Sequence, residues 1–205
     1  MILYGKELAK SHTLSSLLNF DCSHFDLTVL NNGPQALPEG GLFYDKLSSG
    51  FNNFELMNKI ENMPLSIAYN SFIDNHPDAD KYFFLDDDTE ITESYYTRLT
   101  DGDTSFDVEI PKIVSSDDAL NKGIIHYPVE NDVPVLQKRA VDVNSVLSIG
   151  SGLIISRVFV MKFQSVNLPI FDNCYALYGV DYSLFRNMRK LLKKKCNLLS
   201  PVFHH

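Results

Sequence analysis

One stretch of the sequence decides the fold: Lys81-Tyr-Phe-Phe-Leu-Asp-Asp-Asp-Thr-Glu-Ile91. Its first half, Tyr82 to Leu85, is a run of large apolar residues without alternation, which is typical of a strand buried on both faces of a parallel sheet. Three consecutive carboxylates follow directly, Asp86, Asp87 and Asp88. Ligands of open α/β sheets bind beyond the carboxyl ends of the strands, so the sequence predicts these side chains at a ligand crevice.

Three adjacent carboxylates indicate a bound cation. At about 4 Å and an effective dielectric constant of about 20, one pair of like charges costs on the order of 4 kcal/mol. A divalent cation with oxygen ligands removes that cost, and the alternating residues Asp86 and Asp88 can point to the same side to hold it. The sequence therefore predicts a metal site, with a solvated acidic turn as the alternative.

Composition and charge narrow the class of protein. The chain has 205 residues, 44% of them hydrophobic, so we expect one substantial domain with its own core. A net charge of −8 argues against nucleic acid as a partner. No run of apolar residues is long enough to span a membrane, and strand-like residues begin at Ile2, so we expect neither a membrane span nor a signal peptide. The 3 cysteines are far apart and form no C-x-x-C motif, which favours a reduced, cytoplasmic protein.

The first half of the chain has the order of a βαβ unit. Ile2–Tyr4 predicts a strand, Leu14 and Leu17 lie at helical spacing after a Ser or Thr cap, and Phe25–Leu30 predicts a second strand. The Gly-, Ser- and Asn-rich stretch over residues 38–53 predicts a loose region, and a short strand follows it. Apolar residues spaced as on one helix face then predict a helix from Leu65 to His76.

The second half has weaker patterns and ends on a basic helix. Strands are predicted over Val108–Val114 and Val141–Ile149, and a helix begins just after Asp181. One face of that helix, which we call the basic face, spans residues 186–195. Such faces are usually only solvated, but in so acidic a protein this one also predicts contact with anionic lipid head groups, as peripheral membrane contact, or with a phosphorylated acceptor. The basic residues are Arg186, Arg189, Lys190, Lys193 and Lys194.

Four features occur in one order along the chain: Val29-Leu-Asn-Asn-Gly33; Asn62 with Ser66, Ala68 and Asn70; Leu85-Asp-Asp-Asp-Thr89; and Ile149-Gly-Ser-Gly152 followed by Tyr178-Gly-Val-Asp181 and Arg186. Together they cover nearly the whole chain. In this order and at this spacing the sequence resembles family-2 glycosyltransferases of the GT-A fold, especially the bacterial rhamnosyltransferase-like branch.

The resemblance implies both a fold and an activity. The fold is a single α/β GT-A domain over residues 1–205, Rossmann-like, with a mixed, mostly parallel central sheet flanked by helices. Residues 1–90 form its nucleotide-binding half and residues 91–205 its acceptor-side half. The activity is inverting, metal-dependent transfer of a sugar from a UDP- or dTDP-sugar to a saccharide or lipid-linked acceptor in bacterial surface polysaccharide synthesis. Such an enzyme works in the cytoplasm, including the inner face of the membrane.

The resemblance also assigns roles to residues. Asp181 is the catalytic base. Mn²⁺ or Mg²⁺ is held by Asp86 and Asp88 with a late histidine, His204 or His205, and a histidine ligand favours Mn²⁺. The acceptor side comprises Gly150, Ser151, Gly152 and Arg186. The residues that contact the nucleotide are Tyr4, Asn31, Asn62, Asn70, Asp86 and Asp87.

Three departures from the family pattern leave alternatives open. Pro64 stands where glycine is usual, Asn31 stands where aspartate is common, and the sequence stops before the C-terminal helices of most relatives. A protein that binds a nucleotide sugar without transferring it is one alternative, and the start of a tag is an alternative explanation of the terminal histidine pair. Leu85–Thr89 also resembles the first motif of haloacid-dehalogenase-type phosphatases, but the G-D-x-x-x-D mimic at 102–107 follows it too early.

A calcium-binding EF-hand loop is a further alternative that the sequence excludes. A loop that starts at Asp86 needs glycine at its sixth position and glutamate at its twelfth. Ile91 and Thr97 occupy those positions.

Overall fold

The computed structural model describes residues 1–117, 122–137, 139–194 and 203–204. In this part the chain is a mixed α/β protein, as predicted. It forms two compact units, and each unit is built from two separate segments of the chain. Unit 1 comprises Met1–Met63 and Phe84–Gly102, and unit 2 comprises Pro64–Phe83 and Asp103–His205.

The helices of the described residues are α1 (His12–Leu17), α2 (Leu42–Gly50), α3 (Leu65–Asn75), α4 (Glu93–Thr100), α5 (Arg157–Gln164) and α6 (Val180–Lys194), with one 3₁₀ turn at Leu8–Lys10. The strands are β1 (Ile2–Leu3), β2 (Asp26–Asn31), β3 (Asn53–Asn58), β4 (Lys81–Phe83), β5 (Val108–Glu109), β6 (Ile113–Asp117), β7 (Lys122–Tyr127), β8 (Val129–Glu130), β9 (Val133–Pro134), β10 (Val146–Leu147), β11 (Ile154–Ser156) and β12 (Phe203–His204).

Unit 1 is built on a parallel sheet of three strands in the order β1-β2-β3. The predicted βαβ unit is confirmed, and Ser11 caps α1 by accepting a hydrogen bond from the Leu14 backbone N–H at 3.1 Å. Leu3, Val29 and Leu47 are fully buried between the sheet and its helices. Because the three strands are parallel, their carboxyl ends lie at the same edge of the sheet.

Two helices of unit 1 were not predicted. The stretch over residues 38–53, predicted as loose, contains α2, and the weakly patterned stretch after Thr89 contains α4. Each of these helices buries a single residue, Leu47 in α2 and Leu99 in α4. Both helices are short, with 9 and 8 residues, and such short elements are hard to recognise from the spacing of their apolar residues.

Unit 2 contains a sheet of four strands in the order β12-β5-β11-β4, a three-stranded sheet in the order β10-β8-β9, and the two-stranded ribbon β6-β7. The buried strand at Tyr82 is confirmed, but its predicted parallel setting is wrong, because β4 pairs antiparallel with β11. Tyr82, Phe84 and Leu85 are buried and Phe83 is half-buried, so both faces of the apolar run are covered. An apolar run indicates that a strand is buried, but it does not indicate whether the neighbouring strand is parallel or antiparallel.

The remaining predictions for unit 2 have mixed outcomes. Helices α3 and α6 are confirmed, whereas α5 was not predicted. The predicted strand Val141–Ile149 is wrong over most of its length, since only Val146–Leu147 pairs. The expected central sheet is replaced, in the described residues, by four sheets of two to four strands. No helix of the described part of the chain is long and apolar enough to cross a membrane.

Two leucines of α2 provide a matched test of this fold. Leu47 is fully buried, whereas Leu42 is 86% exposed in the same helix. We expect Leu47→Ala to lower the free energy of unfolding by about 2–5 kcal/mol, because it leaves a cavity. Leu42→Ala should change it by no more than about 0.5 kcal/mol. Urea unfolding of both variants measures the difference, and equal losses would contradict the burial of Leu47.

Candidate functional site

The loops at the carboxyl edge of the parallel sheet lie side by side in unit 1. Asn32 donates its backbone N–H to the Leu3 carbonyl at 2.8 Å, and Gly5 donates to the Gly33 carbonyl at 2.8 Å. A Cβ on Gly33 would lie 2.7 Å from the Ile60 carbonyl oxygen, so the loop after β3 touches this turn as well. The chain therefore gathers three strand ends at the edge where open α/β sheets bind ligands.

The acidic loop, residues Asp86–Thr89, is tied to this edge through its backbone. The Thr13 hydroxyl lies 2.6 Å from the Asp86 carbonyl and accepts the Thr89 N–H at 2.9 Å, while the Ser11 hydroxyl donates to the Asp87 carbonyl at 3.0 Å. Ser11 and Thr13 are fully buried. Sequence reasoning considered both only as helix caps, because a contact between residues more than 70 positions apart leaves no local pattern.

The three carboxylates of the acidic loop differ in their surroundings. Asp86 and Asp87 are half-buried, and Asp88 is exposed. The Lys6 ammonium lies 2.6 Å from Asp87 Oδ2, and this hydrogen bond raises the pKa of Lys6. Lys6 was missed at the level of sequence, because nothing in its neighbours links it to Asp87.

The described residues contain no cluster of three or more His, Cys, Asp or Glu side chains that could hold a metal ion by itself. Mg²⁺ usually takes only one or two carboxylates and completes its shell with water and substrate phosphates, so the predicted metal site stays a prediction. His204 lies on β12, of which only the backbone is described, beside Glu109 of β5. His205 lies outside the described residues, so the predicted histidine ligand stays a prediction.

The asparagines of this edge are mostly engaged with one another. Asn31 is 1% exposed, and its amide N–H groups donate to Asn58 Oδ1 and to the Gln35 carbonyl, both at 2.7 Å. Asn32 donates to Asn62 Oδ1 at 2.9 Å. The structure thus brings the predicted Asn31 and Asn62 to one edge, and their contact with a nucleotide stays a prediction.

Two further side chains at this edge bear on ligand binding. Tyr4 is 55% exposed directly after β1, and its contact with a nucleotide stays a prediction. Asn32, which sequence reasoning did not single out, is 3% exposed, and its Oδ1 has no hydrogen-bond partner among the described residues. A buried acceptor without a partner calls for an explanation, and a ligand or a water is the usual one.

Asp181 lies in the first turn of α6, where its carboxylate packs directly against Gly150. A Cβ placed on Gly150 would lie 2.5 Å from Asp181 Oδ1, so any larger residue at this position requires the carboxylate to shift. Burial raises the pKa of the Asp181 carboxyl, and a hydrogen bond from the Gly150 backbone partly opposes this shift. The structure therefore joins the predicted catalytic base to a residue that the resemblance assigned to the acceptor side.

The neighbouring acceptor-side residues are also buried. Ser151 is 3% exposed, and Gly152 has a φ of 78°, in the left-handed region that favours glycine. Ser148, fully buried just before them, has a hydroxyl without a hydrogen-bond partner among the described residues. Sequence reasoning did not single out Ser148.

Arg186 is held by the loop that precedes α6. Its guanidinium pairs with Asp172, donates to the Tyr175 hydroxyl at 2.9 Å and lies 5.1 Å from the centre of that ring. The pKa of Asp172 is lowered, first by a hydrogen bond from the Cys174 backbone and further by Arg186. Arg186 thus stabilises this loop, and its predicted contact with the acceptor stays a prediction.

Asn70 fastens the same loop to α3. Its amide donates to the Phe171 carbonyl at 2.7 Å and to Asn173 Oδ1 at 2.9 Å, and it accepts the Phe171 N–H at 3.1 Å. The Ser66 hydroxyl donates to the Tyr175 carbonyl at 2.5 Å. The Asn70 amide therefore holds this loop against α3 within unit 2. Its predicted contact with the nucleotide stays a prediction.

The basic face of α6 is less uniform than its sequence indicates. Arg189 is half-buried and donates to the carbonyls of Val143 and Val146 at 3.0 and 3.2 Å. Lys190 and Lys193 are exposed. Two arginines of the face, Arg186 and Arg189, are thus engaged inside unit 2, and contact with a membrane stays a prediction that depends on the lysines.

Comparison with known proteins adds no family assignment: no protein-family model matches the chain, and no curated protein matches it significantly. Function is therefore argued from the two sets of residues described above.

The contact between Gly150 and Asp181 predicts a specific loss of stability. We expect Gly150→Ala to lower the free energy of unfolding by about 1–3 kcal/mol, because the new methyl group displaces the carboxylate. The loss should shrink in an Asp181→Ala background, where the clash is absent. Gly102→Ala is the control, since an added Cβ there meets no atom within 4 Å. An undiminished loss in the double variant would contradict the contact.

The raised pKa of Asp181 predicts how stability depends on pH. The folded state binds this proton more tightly than the unfolded state, so ionised Asp181 opposes folding. Its destabilising effect is absent below the ordinary aspartate pKa of about 3.9 and complete above the raised value. At pH 7 we expect Asp181→Asn to be at least as stable as the wild type, and this advantage should vanish in acid. Urea unfolding at several pH values measures this difference in stability, and Asp80→Asn, at an exposed aspartate, is the control. If Asp181→Asn were less stable than the wild type at pH 7, burial would not be the cause of the raised pKa.

Proposed function

We propose that this chain is an inverting, metal-dependent glycosyltransferase of the GT-A type. It moves a sugar from a UDP- or dTDP-sugar to a saccharide or lipid-linked acceptor in the assembly of bacterial surface polysaccharide. The cytoplasm, including the inner face of the membrane, is the proposed location. The proposal rests on two sets of residues, one in each unit, and on the resemblance of their motifs to this family.

The observation that carries the proposal is the acidic loop at the carboxyl edge of a parallel sheet. Ser11 and Thr13 hold its backbone against the start of α1. Ligands of open α/β sheets bind at this edge, and the exposed Tyr4 is available there to contact a base or ribose. A donor nucleotide is anionic, so an acidic edge binds its phosphates only through a cation.

The residues present fit such a cation. Carboxylate oxygens of Asp86 and Asp88 are hard ligands of the kind that Mg²⁺ and Mn²⁺ prefer. The protein already places one cation, the Lys6 ammonium, 2.6 Å from Asp87 Oδ2. When bound, the metal ion supplies positive charge that stabilises the departing diphosphate.

Asp181 acts as the general base in this proposal. Its carboxylate takes the proton of the acceptor hydroxyl while that oxygen bonds to the anomeric carbon. The bond from this carbon to the diphosphate breaks on the opposite side, the diphosphate leaves with the electron pair, and the configuration inverts. The raised pKa of Asp181 supports the role, because a base works best when its pKa approaches the operating pH.

A thermal-shift titration with nucleotides tests the donor site. UDP, dTDP, GDP and ADP are each added with Mn²⁺ or with EDTA. A ligand present at about 100 times its Kd adds about 2.7 kcal/mol, which raises the Tm by several degrees. We expect a shift with UDP or dTDP that depends on Mn²⁺. It should persist in Asp181→Asn and disappear in Asp88→Ala, with Glu90→Ala as a control that removes an exposed carboxylate nearby.

Turnover separates the proposed enzyme from its alternatives. Release of nucleoside diphosphate from UDP- and dTDP-sugars, with and without candidate saccharide acceptors, measures transfer and hydrolysis. We expect Asp181→Asn to lower this rate about 10²–10⁴-fold. Normal turnover by the variant would exclude Asp181 as base, and binding without turnover by the wild type would leave a nucleotide-sugar-binding protein. Hydrolysis of a generic phosphate ester without nucleotide binding would instead favour a phosphatase.

A further inference from the structure

Lys6 places a positive charge on the acidic loop. Its ammonium lies 2.6 Å from Asp87 Oδ2, and the side chains of Lys6 and Asp87 are 42% and 20% exposed. Because the pair is partly exposed to water, its attraction is modest and is screened by salt. A divalent cation that approaches the three carboxylates therefore meets a site that already contains a cation.

The backbone on both sides of this pair is constrained. Gly5, next to Lys6, has a φ of +65° and donates its N–H to the Gly33 carbonyl at 2.8 Å, which fixes where the loop leaves β1. The Asp87 carbonyl accepts hydrogen bonds from the Ser11 hydroxyl and the Thr13 N–H. Because both main chains are held, the pair separates only by movement of the side chains, and the long lysine stem moves most easily.

We propose that Lys6 is a built-in counter-cation that competes with the divalent cation for the acidic loop. Resting on the proposed function, this inference adds a positioning residue that no motif contains. Without metal, the ammonium neutralises Asp87 and keeps the three carboxylates from repelling one another. Asp86 and Asp88, the proposed metal ligands, flank Asp87 in the sequence, so the charge of Lys6 repels a divalent cation there and weakens the affinity for the free metal ion.

The test is a titration of Mn²⁺ alone, without nucleotide or sugar, into the full chain at low ionic strength. Free Mn²⁺ is measured by its electron paramagnetic resonance signal, which needs no enzymatic activity. We expect Lys6→Met, which retains the apolar stem, to bind Mn²⁺ about threefold to tenfold more tightly than the wild type. The gain should decrease with added salt, because it is electrostatic.

Two further variants distinguish competition from a loss of charge or of structure. Lys10→Met removes the same charge from an exposed residue of unit 1, and it should leave Mn²⁺ affinity within about twofold of the wild type. Lys6→Arg keeps a cation in place and should restore the wild-type affinity. Equal tightening by Lys6→Met and Lys10→Met would overturn the proposal.

The outcomes separate this inference from the proposed function. If the wild type binds Mn²⁺ and Lys6→Met binds it equally or less tightly, Lys6 does not compete, and the donor site stands. If neither protein binds Mn²⁺ while both are folded by circular dichroism, the inference is overturned and the metal site of the proposed function fails with it. If only Lys6→Met binds Mn²⁺, the competition is stronger than expected and the inference is supported.

Discussion

The buried hydroxyls of Ser11 and Thr13 are the contacts on which the acidic edge of unit 1 depends. Three consecutive carboxylates repel one another, and an unsupported loop would swing them apart into water. Their main chain is held because the start of α1 supplies hydrogen bonds to the carbonyls of Asp86 and Asp87. Asp88 remains exposed while these hydrogen bonds hold the backbone of the loop, as a site for a charged ligand requires.

The second constraint is the exclusion of any side chain at Gly150. Because the Asp181 carboxylate occupies that space, its charge sits in a poorly hydrated position and its pKa rises. Most buried carboxylates pair with a cation, but here the strongest influence is burial itself. A carboxylate destabilised in this way gains more from accepting a proton than an ordinary surface aspartate does. The same burial lowers the free energy of unfolding while the carboxylate is ionised.

Sequence reasoning succeeded where the signal was local. The apolar run at Tyr82, the cap at Ser11 and the periodic face of α3 each predicted an element that the structure contains. It failed where a residue's partner is distant: Lys6 and Thr13 contact the acidic loop across more than 70 residues, and no pattern of neighbours encodes this. The prediction of a single central sheet was wrong for a related reason, because strand pairing depends on contacts between residues that are distant in the sequence.

Each unit is built from two separate segments of the chain, and this arrangement affects how the protein folds during synthesis. Unit 1 draws Leu85 and Ile91 of its core from Phe84–Gly102, so residues 1–63 alone lack part of the apolar surface that they must bury. A growing chain on the ribosome therefore cannot complete the first unit until Gly102 has emerged, after the first segment of the second unit has already been made. Contacts between such distant residues slow folding, and the nascent protein exposes an incomplete core for longer than a chain of two consecutive domains would.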